Sequence, residues 1–123
     1  MLAVHSYISG EGKSFVAFNL ALIFAMSNKK VLLVDGDLRK PRLHNLLDQT
    51  NESGLGSFLE GEANLTDIIR KTEIPNLSFI SAGPNHHNSA ELLNTLRIKT
   101  FVQSVREQFD FIIFDNSPMR AAS

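Results

Sequence analysis

Cysteine is absent from the 123 residues, and charge is nearly balanced: 12 Lys and Arg against 13 Asp and Glu give a formal net charge of −1. The first absence removes disulfides and thiolate metal sites, which fits a reducing cytoplasm. The second removes any general electrostatic drive towards nucleic acid or an anionic membrane, so any anion must be held by a local site. No nucleic-acid partner is expected. Long hydrophobic runs are lacking as well. The most apolar stretch, Phe15 to Met26, is interrupted by Asn19 and ends at Ser27-Asn28-Lys29-Lys30, which is too short to cross a bilayer and reads as a core helix. No charged segment precedes the first apolar residues, and no internal repeat or low-complexity run is visible. With 43% apolar and 20% charged residues, residues 1–123 are expected to form one domain with a substantial core.

What is present is organised around Ser9-Gly10-Glu11-Gly12-Lys13-Ser14, which follows the apolar Leu2-Ala3-Val4 and opens the segment from Phe15 to Met26. Strand, glycine-rich turn and helix in that order build a phosphate-binding loop. Glycines let successive backbone N–H groups turn inward around an anion, and the helix start adds its positive dipole end. Lys13 would reach the β- and γ-phosphates, and the Ser14 hydroxyl would ligate Mg²⁺. The strict pattern has glycine where this chain has Tyr7, so the motif is a partial match set in the right context. Ser9, Gly10, Glu11, Gly12, Lys13, Ser14 and Phe15 are the candidate nucleotide-binding residues, for ATP with Mg²⁺.

Phe15, Val16, Phe18, Leu20, Leu22, Ile23, Phe24 and Met26 leave the first helix almost no polar face, so it is expected to be covered on most sides. Val31-Leu32-Leu33-Val34 lacks alternation, which predicts a central parallel strand buried on both faces. Residues 2 to 35 then form one βαβ unit with a right-handed crossover. In open parallel sheets ligands sit beyond the carboxyl ends of the strands, so Asp35 and Asp37 would emerge beside the phosphate loop. One carboxylate there binds Mg²⁺ directly or through water, and another accepts a proton from an attacking hydroxyl or water. A D-G-D turn alone would be an ordinary strand end; the phosphate loop changes that reading. Arg39, Lys40 and Arg42 are either a solvated basic turn or a guanidinium placed near transferred phosphate.

From Leu43 to Glu73 the pattern is weak. Gly54 to Gly61 predicts a short helix between glycine stops, Asn64 to Arg70 another turn or two, and Asn76 to Ser81 a third strand. His86 and His87 sit in a ligand-poor loop and are expected to be exposed rather than metal-bound. Asn88 and Glu91 resemble a cap for the next helix, in which Leu92, Leu93, Leu96, Ile98, Phe101, Val102, Val105 and Phe109 share one face. The last strand, Phe111 to Phe114, ends at Asp115, where a carboxylate would hold Mg²⁺ from the side opposite Ser14.

Taken together, S-x-x-S-G-E-G-K-S, V-L-L-V-D-G-D-L-R-K-P-R-L-H, G-L-G-S-F-L-E-G, A-G-P-N-H-H-N-S-A-E-L-L and F-D-F-I-I-F-D-N-S-P resemble the cytoplasmic domain of bacterial tyrosine kinases that control capsule and exopolysaccharide synthesis. The resemblance covers essentially the whole chain. It implies an α/β fold, a P-loop nucleotide-triphosphatase-like three-layer sandwich with a mainly parallel sheet, shared with partition and septum-placement ATPases. The Walker A, A′ and B elements fall on Gly10 to Ser14, on Asp35 and Asp37, and on Asp115. The roles implied are catalytic for Lys13, Asp35 and Asp37, and metal-binding for Ser14, Asp35 and Asp115. The reaction implied is γ-phosphoryl transfer from ATP to tyrosine, with a tyrosine-rich tail of a like subunit as acceptor, a transmembrane polysaccharide co-polymerase adaptor as partner, homo-oligomerisation, and a place at the cytoplasmic face of the membrane. Compared with that family the chain is expected to be a core fragment, truncated at both ends. Its sole tyrosine, Tyr7, is expected to pack rather than accept phosphate. A Par-type or Min-type ATPase and a non-catalytic nucleotide-binding regulatory domain are the alternatives; those ATPases usually carry a further lysine before Lys13, which this chain lacks.

Overall fold

A computed structural model describes residues 2–5, 11–36, 43–84 and 96–116. In chain order they form β1 (Leu2–His5), α1 (Glu11–Met26), β2 (Val31–Gly36), α2 (Leu43–Leu46), α3 (Leu55–Leu59), α4 (Leu65–Ile68), β3 (Arg70–Lys71), β4 (Leu77–Ile80), α5 (Leu96–Val105) and β5 (Phe111–Asn116). The strands make a five-stranded sheet in the order β1-β5-β2-β4-β3. β1, β5, β2 and β4 are mutually parallel, and only β3 runs antiparallel, against β4.

Alternation along β2 sorts its side chains between two cores. Val31 and Leu33 join Ala17, Ala21, Ala25, Leu43, Leu77, Phe79 and Ile113 on the α1 face. Leu32 and Val34 join Leu55, Phe58, Ile80, Phe101, Val105, Ile112 and Phe114 on the face covered by α3 and α5. Helices on both faces of a mainly parallel sheet make the expected three layers, and every residue of β2 is buried.

The βαβ unit of residues 2 to 35 gains an intervening strand, and the expected cover of α1 is corrected. β1 and β2 are not neighbours: β5 enters between them, pairing with both. The crossover through α1 therefore spans an intervening strand supplied by the end of the chain. Nor is α1 covered on most sides, since Phe15, Ile23 and Met26 are 59%, 58% and 80% exposed. The helix meets the sheet through Ala17, Ala21 and Ala25, whose small side chains allow close approach; the bulkier apolar residues are left on its flanks and outer face. Asn28, at φ 64°, ends the helix in the left-handed region that Asn tolerates better than most residues.

α3 is seated on the carboxyl end of β4 by backbone contact. Leu55 N–H donates to the Ser81 carbonyl at 2.7 Å and Gly56 N–H to that of Ala82 at 2.9 Å. At Gly54 a Cβ would stand 2.1 Å from the Ser81 oxygen, so this approach requires glycine. The preceding loop is tied down by Asn51, whose amide donates to the Gly83 carbonyl and accepts from its N–H, both at 2.7 Å. Arg70 donates to the carbonyls of Thr50 and Ser53, each at 2.6 Å. On α5, Arg97 lies over the Phe58 ring at 4.6 Å and donates to the Phe58 carbonyl, while Ile98, Phe101, Val102 and Val105, with Phe109 beyond the helix end, join the core on this face.

Candidate nucleotide site

The site is built from strand ends. Asp35 is the fifth residue of β2 and Asp115 the fifth of β5. The two stand in register as Cα partners on adjacent parallel strands, which are spaced about 4.8 Å apart. By the same alternation that sends Val31 and Leu33 to the α1 face, Asp35 belongs to that face, and Asp115 follows Ile113 there. Both are fully buried.

The helix above them has a matching polarity. Phe24, near the end of α1, stacks on Phe111, at the start of β5, with centroids 4.2 Å apart. α1 therefore runs opposite to the strands, and its first turn, containing Glu11, Gly12, Lys13 and Ser14, lies at the carboxyl edge of the sheet. Phe15 follows in the second turn and is more than half exposed. The end of the helix that favours negative charge thus shares an edge with Asp35 and Asp115.

Leu43, the first residue of α2, donates its backbone N–H to Asp35 Oδ2 at 3.2 Å, a contact with no signature in the sequence. His44, next to it, has its Nδ1 buried with no hydrogen-bond partner. Its pKa is lowered below the ordinary imidazole value, first by desolvation and second by the Arg70 charge. Ser9, Gly10, Asp37, Tyr7, Arg39, Lys40, Arg42, His86, His87, Asn88 and Glu91 lie outside the described residues.

Buried side by side, Asp35 and Asp115 offer oxygen ligands of the kind a hard divalent cation takes. Among the described residues no group of three or more His, Asp or Glu could hold a metal alone. A Mg²⁺ here would take part of its shell from phosphate and water, its usual habit beside nucleotides. No helix among the described residues is long and apolar enough to cross a membrane.

The AAA domain family matches residues 1–122. The tyrosine-protein kinase ptk of Acinetobacter johnsonii is 41% identical over 112 residues, which are 91% of this chain and 15% of that kinase. The kinase domain of the Escherichia coli tyrosine kinase ETK superimposes with a TM-score of 0.91 at 32% identity, covering 99% of this chain and 48% of that one. The septum site-determining protein MinD from Pyrococcus horikoshii OT3, solved with Mg-ADP, gives 0.79 at 26% identity, covering 97% and 49%. This chain thus spans a small part of one kinase and about half of each solved chain. With a P-loop type of fold, a helix start and two acidic strand ends on one sheet edge, it belongs to the AAA domain family and is similar over nearly its whole length to bacterial tyrosine kinases.

Proposed function

We propose that the chain is the Mg·ATP-binding core of a bacterial protein-tyrosine autokinase regulating capsular or exopolysaccharide synthesis. The observation that carries this reading is the register of β2 and β5, which sets Asp35 opposite Asp115 on the face covered by α1. The similarity to tyrosine kinases supports the choice of chemistry, and the Mg-ADP bound by the MinD relative supports the choice of cofactor.

Bound Mg·ATP would supply the γ-phosphoryl group and a divalent charge at its oxygens. Ser9 to Phe15 would wrap the phosphates, with backbone N–H groups of the loop and the Lys13 ammonium meeting the charge that spreads over them during transfer. Ser14, Asp35 and Asp115 would hold the cation. Asp35 or Asp37 would take the proton of the attacking tyrosine hydroxyl as its oxygen bonds to phosphorus and the bond to the ADP oxygen breaks. In the whole protein the acceptor would be the tyrosine-rich tail of a like subunit, within a homo-oligomer held at the cytoplasmic face of the membrane by a transmembrane adaptor.

The likeness to MinD favours a second reading, an ATPase with water as acceptor. Incubation with γ-labelled Mg·ATP and a synthetic glutamate–tyrosine polymer separates the two. Label on phosphotyrosine supports the kinase, whereas release of inorganic phosphate alone supports the ATPase. Lys13→Ala should lower either activity by at least about a hundredfold, the scale of removing one preorganised donor from a developing charge, while the circular dichroism spectrum is kept. Undiminished turnover in that variant would remove Lys13 from the site.

A further inference from the structure

Asp35 is completely buried, and its Oδ2 accepts from the backbone N–H of Leu43 at 3.2 Å. That donor is itself immobilised. The Leu43 side chain is fully buried in the cluster with Ala17, Ala21, Val31, Leu33, Leu77, Phe79 and Ile113. The N–H group cannot move relative to Asp35 without withdrawing Leu43 from between α1 and the sheet. A carboxylate rotates readily about its last torsion unless a directional donor fixes one oxygen. We infer that Leu43 is a positioning residue of the site: its anchored N–H fixes Oδ2 of Asp35 and so helps set the orientation in which the carboxylate meets the cation.

This rests on the proposed role of Asp35 as a metal ligand, and the two are separable by experiment. Mn²⁺ is titrated into the protein with ADP present, free Mn²⁺ being read by electron paramagnetic resonance, so no turnover is needed. Leu43→Pro deletes the donor at a first helical position, where proline is accepted; Leu43→Met keeps donor and bulk; Asp35→Asn removes the ligand charge but leaves an acceptor. Leu43→Pro is expected to weaken Mn²⁺ binding about tenfold, the scale of one hydrogen bond to a charged group, and Leu43→Met by less than about twofold. Adding Leu43→Pro to Asp35→Asn should cost little more than Asp35→Asn alone, because both act through one carboxylate. In parallel, the Leu43 amide should be strongly protected from hydrogen exchange and show a scalar coupling to the Asp35 carboxyl carbon across the hydrogen bond.

If Asp35→Asn binds Mn²⁺ as the wild type does, the metal role of Asp35 fails and the positioning role fails with it. If Asp35→Asn weakens binding but Leu43→Pro does not, the metal role stands and the positioning role is overturned. Should Leu43→Pro not fold, an ester in place of the Arg42–Leu43 amide deletes the same N–H with the side chain retained, and its Mn²⁺ affinity decides by the same criterion.

Discussion

At the scale of single residues, the proposed site turns on two buried carboxylates, Asp35 and Asp115. If both carboxylates hold Mg²⁺ as proposed, Asp35→Asn and Asp115→Asn each remove one charge from a cation with few protein ligands. Each should raise the Mg²⁺ concentration that half-saturates activity by about tenfold or more, and an unchanged Mg²⁺ dependence in both would reduce them to strand ends. His44 makes a different prediction. Its folded-state pKa is depressed by desolvation and then by Arg70, so at a pH below the ordinary imidazole value the unfolded chain binds the proton more readily. Its neutral form therefore stabilises fully above that value, and the contribution is lost as pH falls through the ordinary range towards the depressed one. Urea midpoints measured between about pH 7.5 and 5 should fall less steeply in His44→Gln than in the wild type. Parallel slopes in the two proteins would show that His44 is not desolvated.

Among the elements, the parallel strands were plain from composition, while the short pieces between β2 and β4 were not. Val31 to Val34 and Phe111 to Phe114 are unbroken apolar runs of strand length, the pattern of strands covered on both faces of a parallel sheet. By contrast α2, with four residues, and β3, with two, are too short for any periodicity to register. Leu43 anchors the first through burial, and antiparallel pairing to Ser78 and Phe79 holds the second. α3 was legible from its glycines, and Gly54 shows why: Gly54→Ala would drive a Cβ into backbone atoms of Ser81 and Gly83. Because backbone cannot step aside as a side chain does, that change should cost about 2 kcal/mol or more, read as a lower urea midpoint with an unchanged slope.

For the molecule as a whole, one sheet serves two cores. The α1-face cluster and the α3/α5-face cluster draw on the same strands β2, β4 and β5, with Phe79 fully buried on one side and Phe101 on the other. Because both clusters draw on the same strands, losing either exposes the shared sheet, and unfolding is expected to be a single transition. Phe79→Ala and Phe101→Ala should each destabilise by about 3–5 kcal/mol and shift near-UV ellipticity and far-UV ellipticity together. Separated transitions for the two probes would mean that the layers unfold independently.

The sequence by itself determined the class of fold and the chemistry on offer, because both are written locally. Glycine spacing before a helix, apolar runs of strand length and aspartates at their ends are properties of contiguous residues. Strand order was not written that way. β1, α1 and β2 read as a unit in sequence, yet β5 comes from about eighty residues later and inserts between the two strands. That insertion, which the separate runs do not encode, sets Asp115 beside Asp35. Likewise the alanines of α1 turned the helix so that part of its apolar surface faces outward, and Leu43 brought a backbone N–H to Asp35. Packing and register join residues distant along the chain, so only the tertiary structure decided which of the candidate groups meet.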